Sequence, residues 1–319
     1  MKKLVTNVLT ALILTLSSLS LTVFSGCTNS KNKTTNEKTV PLSSLDFVLC
    51  DGNRDEGCRI SCSESHYRVC QKEDVTLSGK LVIPNTYNGL PVKEIEQFAY
   101  CQNVTAISIP ANLEYIEGFV FFDNLTSITV DKNNKNYYVK NNCLICPNNL
   151  SAIPDRTKVL VLACKNAVIP SDGSVITLGM GAFSGKGVKE ITIPDTIRYS
   201  YWCAFMGCED LTTVYWNATR CYVVGADYSC FAGCEKLENV IIGKNVQAIP
   251  AFWISDSQSL KKVVIPKNVT SVGYKAFGDC AEDFTIYCEI EESEKTSSWE
   301  DGWNGGQNRD YPVVWGYKG

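Results

Sequence analysis

The chain has 319 residues, of which 45% are apolar and 20% charged, a balance that excludes a disordered polymer and a polytopic membrane protein. Its formal charge is −4 and no long basic run occurs, which argues against nucleic acid as a partner. The single histidine, His66, excludes a multi-histidine metal site and leaves any Ser-His-Asp or Cys-His engine dependent on that one side chain.

In chain order, residues 1–26 place two lysines before an apolar stretch and then small residues, the pattern of a secretion signal rather than a spanning helix. The end of this segment, VFSGC, resembles a bacterial lipoprotein cleavage box. That likeness implies that Cys27 becomes the lipid-bearing first residue, so that the only membrane attachment is a lipid. Residues 27–45 are polar and run into Pro41, which reads as a flexible tether. Residues 46–78 form a Cys-rich N-terminal cap, with Cys50, Cys58, Cys62 and Cys70 spaced C-x7-C-x3-C-x7-C. This symmetry suits two strands of a hairpin, with Cys50–Cys70 and Cys58–Cys62 nested as disulfides; a zinc site using the nearby His66 is the alternative.

From 79 to 284 the chain repeats itself. VTAISIP at 104, LTSITVD at 125, VKEITIP at 188, LTTVYWN at 211, LENVIIG at 237 and LKKVVIP at 260 share one pattern, with starts advancing by 21, 23, 26 and 23 within the two regular runs. The apolar-x-apolar alternation predicts a short strand with one buried face, stopped by Pro110, Pro194 and Pro266, because proline cannot donate to a ladder. Six residues before a strand start stands Phe98, Phe119, Phe205, Phe231 or Phe277, and three before it stands Cys101, Cys208, Cys234 or Cys280. Phe122, Ser257 and Gly185 fill the Cys slot in other coils. A slot that accepts such different side chains is a buried turn position, where Cys serves as a small hydrophobe. Stacked coils would bury each other's apolar faces. Side chains in one such column point the same way, so Cys208 and Cys234 are expected to remain thiols. CLIC, at 143–146, reads as strand rather than as a redox motif, which needs a helix start. DKNNKN, at 131–136, reads as an Asn-rich turn rather than a calcium loop, since Lys135 stands where an oxygen ligand belongs. Residues 285–319 form a C-terminal cap rich in Trp299, Trp303 and Trp315.

Coils of about 23 residues reading Ile-x-Ile-Pro, then Ile, then Ala-Phe-x-x-Cys resemble the BspA-like leucine-rich repeat family. GKLVIPNTYNGLPVKEIEQFAYCQN (79–103) looks like its first coil, VDKNNKNYYVKNNCLI (130–145) resembles its Asn–Tyr coil, and the tail 299–319 is similar to one common in such proteins. The likeness covers roughly 79–319 and lapses in 146–187. It implies a right-handed, mainly β leucine-rich repeat solenoid, with short parallel strands on the concave face, turns and irregular or short helical segments elsewhere, and a cap at each end. It also implies a surface-exposed protein, adhesin-like in some members.

Within that frame, the residues between each buried pair face the concave side: Ser108, Thr129, Thr192, Tyr215, Ile241 and Val264. Glu190, Thr213 and Lys262 are among those flanking them. Tyr215, Ile241 and Val264, with Glu190 and Lys262 at their margin, are the expected ligand-binding residues, because exposed apolar stripes with polar borders mark partner surfaces. The expected partner is a protein or glycan outside the cell, bound by a monomer with no cofactor, no metal and no catalytic residues. A structural spacer is the alternative, and a thiol-dependent enzyme a remote one.

Overall fold

The computed structural model describes residues 38–319 apart from 52–59, 61–63, 97, 99–100, 118–121, 148–156, 226–228, 256 and 306–308. The expected signal segment 1–26, Cys27, most of the tether, Cys58, Cys62 and Phe119 lie outside the described residues. The rest is a mainly β solenoid of about ten turns. Among the described residues the only helical pieces are two 3-10 turns, Leu42–Ser44 and Glu292–Glu294.

The predicted strands form parallel ladders, one rung per coil. Ser78–Val82, Asn103–Ile109 and Ser127–Val130 make the first concave sheet. Glu190–Ile193, Thr213–Trp216 and Asn239–Ile242 make the second, in which Thr192, Tyr215 and Ile241 are successive register partners. Lys262–Ile265, Thr285–Cys288 and Val313–Val314 make the third. Alternation places Ile191, Ile193, Val214, Trp216, Val240 and Ile242 in the core and turns Glu190, Thr192, Tyr215 and Ile241 outward.

The recurring phenylalanines are interior. Phe98, Phe205, Phe231 and Phe277 are all fully buried, and Phe183, Phe205 and Phe231 stack with ring centroids 5.0 Å apart. The Cys slot proves to have a chemistry of its own. Cys208 Sγ donates to the carbonyl of Phe183 at 3.0 Å, and Cys234 Sγ donates to that of Phe205 at 3.3 Å. In each case the acceptor is the stacked phenylalanine of the preceding coil. The thiol is therefore a small apolar filler that also partners a buried carbonyl, a group that is costly to leave unpaired.

The expectation that Gly185 occupies this slot is corrected: Lys186 does. Gly207 and Gly233, which precede Cys208 and Cys234, have φ of 68° and 72°, and Gly185 has φ of 68°. The backbone agrees, since Gly185 N donates to Met206 O and Gly207 N to Ala232 O, both at 2.9 Å. The link from slot to strand is one residue shorter in this coil, so counting back from Val188 lands one position early. Lys186 is completely buried. Its Nζ donates to the carbonyl of Phe122 and lies 5.7 Å from the centre of that ring.

The irregular region divides the interior in two. Cys143–Cys146 pairs antiparallel with Val159–Ala163, and both strands are buried on both faces. Cys143 and Ile145 belong to the C-terminal core, whereas Leu144 and Cys146 belong to the N-terminal one. CLIC is thus a strand, as the sequence predicts, and its two sulfurs face opposite cores. At the far end, Trp299, Trp303 and Tyr311 are buried in the C-terminal core, with Trp303 against Phe277 and the Tyr311 hydroxyl donating to Cys280 O at 3.0 Å. These aromatics cover the last coils rather than form an open surface.

Candidate functional site on the concave face

The second concave sheet carries a groove of about 760 Å³, lined among others by Val168, Glu190, Thr192, Tyr215, Asn217 and Lys244. Its floor is the outward row of the sheet, held by the ladder that aligns Thr192 with Tyr215. Tyr215 is 38% exposed and its neighbour Ile241 is 45% exposed, large values for apolar side chains on a rigid sheet. Charged and amide groups (Glu190, Asp195, Lys244 and Asn245) border the apolar centre.

The five expected binding residues do not all meet. Glu190 and Tyr215 line the groove, and Ile241 sits beside Tyr215 by register. Val264, half-buried, and Lys262, exposed, belong to the third sheet, where Val264 pairs with Tyr287 and Lys262 with Thr285. Val168 was missed by the strand pattern. It is 64% exposed and forms part of the groove wall. Its signal was available: KNAVIP at 165–170 repeats the form of KEITIP at 189–194, but a cysteine replaces the leading apolar residue.

The cysteine-rich hairpin differs from expectation. Leu45–Cys50 does pair antiparallel with His66–Gln71, but the register sets Cys50 opposite His66 and Cys70 opposite Asp46. Four rungs along a strand amount to ~13 Å, far beyond disulfide reach. Cys70 is a free thiol, while Cys50 is disulfide-bonded to a partner outside the described residues. A nested Cys50–Cys70 bridge is therefore absent. Cys50, His66 and Glu94 bring ligand-type atoms within 4.8 Å of one another. The Cys50 sulfur is committed to its disulfide and His66 Nε2 is hydrogen-bonded to Glu94 Oε1 at 2.9 Å. That leaves two usable ligands among the described residues, fewer than a zinc site requires.

Burial disfavours the thiolate at several interior cysteines. Burial pushes Cys101, Cys143, Cys221 and Cys288 up to about 12, and Cys164 and Cys203 to about 11. A thiol nucleophile needs the opposite displacement. Cys208 and Cys234 are thiols, as the column geometry predicts. Burial pushes Lys186 the other way, down to about 8, with the Asp123 carboxylate opposing that fall.

Comparison with known proteins gives a family match over residues 80–158 and 161–282, described as BspA type leucine rich repeat region in six copies and covering more than half the chain. No curated protein matches. Similar solved structures include a leucine-rich repeat protein from Eubacterium ventriosum at 19% identity, covering 63% of this chain and 76% of that one, with a TM-score of 0.34. Another from Bacteroides ovatus shows 22% identity, coverage of 73% and 66%, and a TM-score of 0.37. A leucine rich cell surface protein from Faecalibacterium prausnitzii shows 16% identity, coverage of 81% and 62%, and a TM-score of 0.38.

Proposed function

Since the chain belongs to the BspA-type leucine-rich repeat family, we propose that it is an exported surface protein, anchored through a lipid on Cys27, whose concave face binds a protein or glycan of a host or neighbouring cell. The observation that carries this reading is the groove at Tyr215, where Val168 and Tyr215 are rimmed by Glu190, Asp195 and Lys244, with exposed Ile241 next to Tyr215 on the ladder. Binding surfaces of this kind concentrate their energy in a few aromatic and aliphatic anchors while the charged rim sets orientation. A parallel ladder fixes Tyr215 and Ile241 before binding, which lowers the entropy lost on association. No helix among the described residues is long and apolar enough to cross a membrane.

The test immobilises the purified protein against a panel of extracellular-matrix proteins and mucin glycoproteins, alongside Tyr215→Ala and Ile241→Ala. Both side chains are exposed, so melting temperature should stay put while binding to the captured partner falls about tenfold or more per anchor. Absence of binding across the panel, or binding indifferent to both substitutions, would overturn the concave-face reading in favour of a spacer. The anchor is tested separately: Cys27→Ser should abolish incorporation of a labelled fatty acid.

A further inference from the structure

A second groove opens where the concave strands end. After Thr213–Trp216, Asn239–Ile242 and Lys262–Ile265 the chain turns through 217–220, 243–247 and 266–270. These turns line a depression of about 550 Å³ with Arg220, Asn245, Gln247, Lys267, Asn268 and Thr270, and Asn245 is shared with the concave groove. Backbone bonds hold the turns in step: Gln247 N donates to Thr219 O at 2.8 Å and Thr270 N to Gln247 O at 2.9 Å. Asn268 Nδ2 donates to Lys244 O at 2.7 Å. Similar polar groups are therefore repeated along the stack at the coil spacing of ~4.8 Å, close to the length of one sugar ring.

The charge of this groove runs against that of the molecule. The chain is net −4, yet the ionisable side chains lining the depression, Arg220 and Lys267, are both cations. Arg220 Nε donates to Gln247 Oε1 at 3.0 Å, which orients the guanidinium and leaves its two terminal nitrogens without an acceptor among the described residues. Lys267 makes no ion pair among them, whereas Lys236 and Lys261 on the stacked coils are paired with Asp210 and Asp283. Glu289 accepts from the backbone N of Lys267 at 3.0 Å and does not line the groove.

We propose that this groove binds an acidic oligosaccharide of the uronic-acid type. Arg220 presents a planar fork to one carboxylate and Lys267 a point charge to the next. Gln247 and Asn268 each retain half of a donor–acceptor amide, and Asn245 a whole one, matching ring hydroxyls that both give and accept. An acidic peptide fits less well, because the lining offers no apolar or aromatic pocket for an anchor side chain.

Calorimetric titration of the full protein with a galacturonate hexamer tests this, with neutral maltohexaose and a polyglutamate peptide as comparators. The variants are the double substitution Arg220→Gln with Lys267→Gln and, separately, Tyr215→Ala; all three positions are exposed. The expected result is galacturonate binding that weakens with added salt and falls roughly tenfold in the double variant. It should be unchanged in Tyr215→Ala and not matched by either comparator. No measurable galacturonate binding, full binding by the double variant, or equal binding of polyglutamate would each overturn the proposal. Because the decisive residues differ from those of the concave groove, its failure leaves the reading at Tyr215 standing.

Discussion

Lys186 occupies a slot that thiols fill elsewhere, and replacing it by methionine isolates the cost of burying its charge. Its ammonium is displaced from an ordinary value of 10.5 to about 8, chiefly by burial. At ~1.4 kcal/mol per pH unit this is worth about 3 kcal/mol against the folded state near neutral pH. The unfolded chain holds the proton up to 10.5 and the folded chain releases it near 8. Between those values the unfolded state binds more protons, so the stability of the native protein rises with pH. Asp123, Cys101, Cys164 and Cys208 face the same ammonium and are held lower by it, so the difference between the two proteins reports this coupled site as a whole. Lys186→Met keeps the length of the side chain and loses the bond to the Phe122 carbonyl, an offset of about 1–3 kcal/mol that does not vary with pH. Urea unfolding followed by tryptophan fluorescence, from pH 7 to 10.5, should show the native protein gaining about 3 kcal/mol relative to Lys186→Met. Parallel stability curves would refute the reasoning, since they would mean that Lys186 is solvated or already neutral at pH 7.

Cys208→Ala should lose about 1–2 kcal/mol in the same assay, while Cys208→Ser, which keeps a donor for Phe183 O, should lose less; the reverse order would show the slot to be purely volumetric. Phe205→Ala removes the middle ring of a three-ring stack and should lose about 3–5 kcal/mol or prevent folding, whereas a loss below about 1 kcal/mol would contradict its burial. Peptide mapping after brief alkylation of the native protein should find Cys70, half-buried, labelled ahead of Cys208 and Cys234. Equal labelling in an intact fold would show the core columns to be open. Trp303→Ala uncovers the ring of Phe277 and should lower the melting temperature by several degrees without altering binding at Tyr215.

The repeat was legible because its physics is local and periodic. Alternation along seven residues decides which side chains of a strand are buried, and proline decides where the strand stops, so the inward set Ile191, Ile193, Val214 and Trp216 could be named in advance. The strand character of CLIC and the capping role of Trp299 and Trp303 follow from the same local reasoning. The groove was legible only in part. Tyr215 and Ile241 stand out as apolar residues at outward positions, but Val168 lies in a coil whose leading residue is cysteine and which departs from the pattern of its neighbours.

By itself, then, the amino-acid order determined that coils stack, which faces they bury and which residues look outward, since each depends on neighbours a few positions apart. Only the tertiary structure decided how the coils are aligned with one another. A link one residue shorter moved Lys186 into the thiol column, and a ladder register carried Cys50 and Cys70 four rungs apart. Val264 and Lys262 likewise pair in the third ladder and do not line the groove at Tyr215. Alignment between coils is settled by how backbone hydrogen bonds and packed rings fit across residues more than twenty positions apart, and a displacement of one residue leaves the periodic signal almost unchanged.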